Sequence, residues 1–155
     1  MSIDVGAKAP DFTLMNHDRE PVSLSSLQGR PVVLAFFPAA FSSVCATELC
    51  TLRDSLGRLN NTSAQVFGIS VDTFFALKAF HNSQELTFPL LSDFNKVVIR
   101  EYGVFNEDMI GLKGIAKRAV FVLDRNGVVR HREVLEDARN EPDYGKVLAT
   151  LQSFT

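Results

Sequence analysis

The chain has two cysteines, Cys45 and Cys50, five residues apart. Cysteine offers a nucleophile, a metal ligand and a redox couple, so this pair sets the chemical question. Metal binding finds no support: His17, His81 and His131 are scattered, and none shares a ligand-like spacing with a cysteine. A disulfide is unsuited to the pair while both sit in one helix. Over five helical residues the rise is about 7.5 Å and the chord about 4 Å, so the Cα atoms lie about 8.6 Å apart. A disulfide needs them within about 7 Å. Cys50 also lies about 140° around the helix from Cys45. The sulfurs therefore join only if the helix unwinds locally, and its first turn frays most readily. That spacing suits a switch between a reduced, folded state and an oxidised, opened one. The alternative for Cys50 is a half-exposed bystander.

The elements that must position the pair are legible around it. PVVLAFFP, 31–38, is a continuous apolar run with β-branched and aromatic residues, as in a strand covered on both faces. Cys45, Leu49, Leu52, Leu56 and Leu59 then recur at steps of four and three, the stripe of an amphipathic helix with Ser42 or Ser43 as N-cap. Cys45 falls in the first turn of that helix, at the carboxyl end of the sheet, where α/β folds hold ligands. Free N–H groups and the positive end of the helix dipole favour a thiolate there. Arg118, at the start of the strand AVFVLD, is the best basic candidate to assist. Cys45 also lies on the apolar stripe, so a core cysteine remains the competing reading.

QVFGISVD, 65–72, reads as the next strand, which makes a βαβ unit with parallel strands, and a helix over 73–84 follows. DFTL and PVSL near the start suggest a hairpin; 88–91 suggests a short strand and 96–102 a helix. AVFVLDRNGVVRHREV, 119–134, predicts a hairpin with a two-residue Asn126-Gly127 turn, and a helix over 144–154 closes the chain. Together these describe one α/β domain over 1–155, a thioredoxin-like sandwich whose central mixed sheet is flanked by helices and carries an N-terminal β extension.

Composition bounds the function. Net charge is −2 and pI about 5.9, which gives no reason to expect nucleic acid or an anionic membrane as partner. The longest apolar run is too short to span a bilayer, and MSIDVGAKAPDF lacks a signal-peptide pattern. The expectation is a cytoplasmic protein, where a reducing pool makes structural disulfides uncommon. There is no Gly-rich phosphate loop, so no nucleotide, flavin or metal cofactor is expected.

Pro38, Ser42 and Cys45 form Pro-x-x-x-Ser-x-x-Cys, which resembles the peroxidatic motif of peroxiredoxins. APDFTL at 9–14, DFNKVVIREYGV before the last hairpin and KRAVFVLD at 117–124 are similar to peroxiredoxin landmarks in the same order. FFPAAFSSVC resembles the AhpE-like group, and CATELC resembles the PrxQ or bacterioferritin-comigratory-protein group, whose second cysteine has that spacing. The resemblance implies a peroxidase in which Cys45 attacks hydrogen peroxide or an organic hydroperoxide and Cys50 resolves the sulfenic acid. Pro38 would shield the site, and Ser42 would offer its hydroxyl to thiolate and peroxide. Arg118 would stabilise the developing charge, and Glu48 would hold Arg118. A thioredoxin-like or glutaredoxin-like protein would be the reductant, with a monomer or homodimer as the working unit. Ser42 replaces the commoner threonine, and the segment after Pro38 is bulkier than the usual Gly-containing form. A one-cysteine peroxidase, a non-enzymatic redox sensor and an interaction module using the thirteen phenylalanines are the alternatives. A thioredoxin-type reductase would instead use Cys-x-x-Cys.

Overall fold

Apolar side chains alternate along the central strands, and that alternation builds two cores on one sheet. The computed structural model describes residues 3–56 and 64–154. The N-terminal hairpin is β1 (Thr13–Asn16) and β2 (Pro21–Ser23), joined by a turn in which the Asn16 side chain accepts the N–H groups of Asp18 and Glu20. A 3-10 turn, Leu24–Leu27, leads to β3 (Val32–Phe36), every residue of which is buried. Helix α1 (Ser43–Leu56) carries both cysteines, and β4 (Gln65–Ser70) returns parallel to β3, completing the expected βαβ unit. Leu59, the last residue of the helical stripe, lies outside the described residues.

Helix α2 (Phe74–Ser83) is capped by Thr73, whose side chain accepts the Ala76 N–H. Then come β5 (Leu90–Ser92), α3 (Val98–Glu101), β6 (Phe105–Asn106), β7 (Ile115–Ala116), β8 (Arg118–Leu123), β9 (Val129–Leu135) and α4 (Tyr144–Gln152). The main sheet is mixed and has seven strands in the order β2-β1-β5-β4-β3-β8-β9. β3, β4 and β5 run parallel, while β8 runs antiparallel to β3 and β1 antiparallel to β5. Val33, Ala35 and Phe37 face one way with α1, α2 and α4. Val32, Leu34 and Phe36 face the other, with α3 and residues of the N-terminal segment. Among the described residues, no helix is long and apolar enough to cross a membrane.

Gly68 marks a close approach on the face of the sheet that α1 covers. A Cβ there would stand 2.7 Å from Leu90 Cδ2 and 3.2 Å from Phe37 Cε1, with Leu49 behind. A side chain would push the layers apart.

Local expectations differ from the fold in several places: β4 and α4 each end two residues early, at Ser70 and Gln152. β5 starts two residues after the expected strand. α3 begins later than Lys96 because that residue sits at φ 61, while the Asp93 carboxylate accepts the Val97 and Ile99 N–H groups. The β8–β9 connection is longer than a two-residue turn: Gly127 N–H bonds to the Asp124 carbonyl, so Arg125 and Asn126 occupy the turn and Gly127, at φ 77, follows as a bulge. The short pair β6–β7 was not among the expected elements; two-residue strands leave no period to read.

Candidate active site

β3 ends at Phe36, and Phe37 makes one further link, its N–H bonding to Ile69 carbonyl at 3.0 Å. The chain then turns through Pro38 and enters α1, where the Ser42 carbonyl accepts the first helical N–H, from Ala46. Cys45 is thereby held in the first turn, pointing into the core and fully buried. The antiparallel pairing of β3 with β8 sets Phe36 opposite Ala119, so the start of β8 lies beside the end of β3. That register delivers Arg118, far away in sequence, to Cys45.

Arg118 is 1% exposed and uses its whole fork. Nη2 donates to Cys45 Sγ at 3.3 Å, Nη1 donates to Glu48 Oε2, and Nε donates to the Ala138 carbonyl at 3.0 Å. A guanidinium hydrogen bond to sulfur is strongest when the sulfur is anionic. Burial opposes the charge on Arg118, but Glu48 and Cys45 outweigh it and raise its pKa, so the cation persists. Glu48 is fully buried, and its Oε1 has no hydrogen-bond partner among the described residues. Burial pushes its pKa up to about 7 despite Arg118, and Glu141 and Glu133 add to the rise. The arginine holds its proton throughout, so this pair titrates on the carboxyl. Tyr144 lies in the same region, with its hydroxyl donating to Glu141 at 2.6 Å.

A cleft of about 750 Å³ opens above these groups, lined in part by Pro38, Ser42, Arg118, Met109, Ile110 and Leu112. Five of the six candidate residues therefore converge: Cys45, Glu48 and Arg118 by direct contact, and Pro38 and Ser42 along the cleft wall. Cys50 does not join them. It is half-buried on another face of α1, where its thiol donates to Gln84 Oε1 at 3.4 Å. Two participants had no signal in the sequence. The Ala138 carbonyl is a backbone atom, and Gln84 reaches Cys50 only because α2 ends beside α1. A smaller cavity, about 230 Å³, lies at the opposite ends of β3 and β8, near Val32 and Leu123, and is lined by neither cysteine nor histidine.

Residues 5–132 match the AhpC/TSA family. The chain is 40% identical over 154 residues to alkyl hydroperoxide reductase E of Mycobacterium tuberculosis (strain ATCC 25618 / H37Rv), covering 96% of this chain and 98% of that one. It is 38% identical over 154 residues to chloroplastic peroxiredoxin Q of Oryza sativa subsp. japonica, covering 98% of this chain and 68% of that one. Among solved structures, peroxidoxin BcpB from Mycobacterium tuberculosis superposes with a TM-score of 0.87 at 31% identity, covering 99% of each chain. A buried cysteine gripped by an arginine at the head of a helix, on a thioredoxin-like sheet, agrees with these likenesses: the chain belongs to the AhpC/TSA family and is a peroxiredoxin, a thiol-dependent peroxidase.

Proposed function

We propose that Cys45 is the peroxidatic cysteine and Cys50 its resolving partner, with residues 1–155 acting as one domain. The observation that carries the reading is Arg118, which touches Cys45 Sγ at 3.3 Å, grips Glu48 and lines the cleft at once. In the first step the Cys45 thiolate attacks one oxygen of a hydroperoxide. The O–O bond breaks, sulfur is oxidised to the sulfenic acid, and the leaving oxygen takes a proton to depart as water or an alcohol. Arg118 stabilises the charge moving onto that oxygen. Ser42 offers its hydroxyl to the peroxide, Pro38 keeps water from the sulfur, and Glu48 positions Arg118. Hydrogen peroxide and organic hydroperoxides are the substrates; the name of the mycobacterial alkyl hydroperoxide reductase E supports the latter.

In the second step α1 opens at its first turn, and the Cys50 thiol condenses with the sulfenic acid, releasing water and forming an intramolecular disulfide. A thioredoxin-like or glutaredoxin-like dithiol protein reduces that disulfide by exchange. The cycle belongs in the cytoplasm, where such reductants are kept reduced. Phe41, 58% exposed, and Ile110, 91% exposed, stand near the cleft and suit a contact with the reductant or with a second copy of the chain.

Intact mass and free-thiol count after one equivalent of hydrogen peroxide test the cycle, on wild type and Cys50→Ser. The expected result is loss of two hydrogens and both thiols in wild type, and gain of one oxygen in the variant. One added oxygen in both proteins removes Cys50 from the cycle and leaves a one-cysteine peroxidase resolved by an outside thiol. No oxidation of either refutes the assignment of Cys45.

A further inference from the structure

We propose that Asp72, two residues beyond the end of β4, is a positioning residue that latches the segment between β3 and α1 and thereby sets how often Cys45 is released toward Cys50. Its carboxylate Oδ2 accepts the backbone N–H of Ala40 at 2.8 Å, across a sequence gap of 32 residues. The same oxygen accepts the hydroxyl of Ser70 at 2.7 Å, and the Asp72 N–H donates back to Ser70 Oγ at 3.2 Å. Ser92 fixes the backbone from the other side, its hydroxyl donating to the Asp72 carbonyl at 2.6 Å. Ser70 is fully buried, so this small network is rooted in the sheet.

What the latch holds is strained. Phe41, the residue after Ala40, sits at φ 68, a left-handed backbone that a phenylalanine adopts only where its surroundings impose it. Its ring rests edge-on against Phe80 of α2, 5.1 Å between centroids. Asp72 and Phe41 therefore act in opposite senses on the same six-residue link, 37–42. The hydrogen bond holds the link against the sheet, and the backbone strain favours letting it go. Since Cys45 follows within the next turn, releasing Ala40 frees the start of α1. The charge on the acceptor makes this bond stronger than a neutral one, so its loss should raise the open population about tenfold.

This inference rests on the proposed cycle for its consequence but not for its detection. Amide hydrogen exchange on the reduced proteins, without peroxide, reads the latch directly. The expected result is about tenfold faster exchange over 39–46 in Asp72→Ala, with β3 and β4 unchanged, and only about threefold faster exchange in Asp72→Asn, whose carbonyl can still accept but without the charge. Ser70→Ala, which frees the carboxylate to swing, should fall between them and serves if Asp72→Ala does not fold. Rapid-quench thiol counting after peroxide reads the consequence. In Asp72→Ala the rate of disulfide formation should rise about tenfold, while the first oxidation of Cys45, followed with Cys50→Ser also present, stays near wild type. Exchange over 39–46 that is unchanged, or that quickens equally along the whole chain, overturns the latch. So does a disulfide rate within twofold of wild type. If wild type itself forms no disulfide while exchange responds as expected, the cycle fails and the latch stands.

Discussion

Glu48→Gln should make the protein more stable at pH 8 and leave its stability almost unaltered at low pH. Glu48 is fully buried, holds Arg118 through one oxygen and leaves the other without a partner among the described residues. Burial raises its pKa from 4.5 to about 7 against the pull of Arg118, with Glu141 and Glu133 adding to the rise. A carboxyl whose folded pKa is raised contributes stability that is fully present below 4.5 and is lost as pH rises through about 7. At ~1.4 kcal/mol per pH unit, that interval corresponds to about 3 kcal/mol. Glutamine copies the shape and hydrogen-bonding capacity of the neutral acid but has nothing to ionise, so the variant escapes the loss.

Urea unfolding of reduced wild type and Glu48→Gln, in steps from pH 5 to pH 8, checks the expectation. The difference in unfolding free energy should be under ~1 kcal/mol at pH 5 and grow by about 2–3 kcal/mol in favour of the variant by pH 8. Cys45, Tyr144, Glu133 and Glu141 are common to both proteins, so the difference isolates the substituted group to first order. A flat difference would refute the reasoning. A wild type that gains on the variant as pH rises would show the ion pair outweighing burial. The same substitution should slow Cys45 oxidation by roughly three- to tenfold, because a neutral acceptor grips the guanidinium less firmly. A site that is faster and less stable with glutamate is the expected trade-off.

Arg118→Lys keeps the charge but loses the planar fork, so it cannot reach Cys45, Glu48 and the Ala138 carbonyl together. The second-order rate constant for hydrogen peroxide should fall roughly a hundredfold, and a value within twofold of wild type removes Arg118 from the reaction. Gly68→Ala brings a methyl 2.7 Å from Leu90 Cδ2 and 3.2 Å from Phe37 Cε1. It should cost about 1–3 kcal/mol, seen as a lower urea midpoint at an unchanged slope.

What the sequence made legible follows from how local each signal is. The strand at Val32–Phe36 and the helix after it were readable because each carries its own pattern, a continuous apolar run and a stripe at helical spacing. The hairpin of β8 and β9 was readable for the same reason, yet its turn was not. The Asp124 carboxylate accepts the N–H groups of Asn126 and Val128, at 2.8 and 3.0 Å, and that draws the turn back by one residue. Arg118 could be suspected from its charge at a strand start, but its meeting with Cys45 depends on β8 lying antiparallel beside β3. That is a property of strand order, which no local window contains. Asp72 is the extreme case. It read as the last residue of a strand, and its contact is with the backbone of Ala40, which has no side-chain signature at all.

The two ends of α1 are held by different kinds of interaction, and this decides which cysteine moves. Leu49 and Leu52 are sunk in the core beneath the sheet, and burying a leucine is worth roughly 1.5–3 kcal/mol each. Cys50 is tied to the Gln84 side chain, and the Gln84 backbone carbonyl accepts the Arg53 guanidinium, so this part of the helix is fastened to the end of α2. The first turn buries only the smaller Cys45 side chain and depends besides on directional contacts: the Arg118 hydrogen bond to Cys45 Sγ and the Asp72 hydrogen bond to Ala40. Oxidation acts on the first of these, because a sulfenic acid is neutral and attracts the guanidinium less than a thiolate does. The grip on the amino end of the helix thus weakens when peroxide has reacted, while the leucines below it are untouched. In the proposed cycle Cys45 therefore travels to Cys50, and Cys50 waits where α2 holds it.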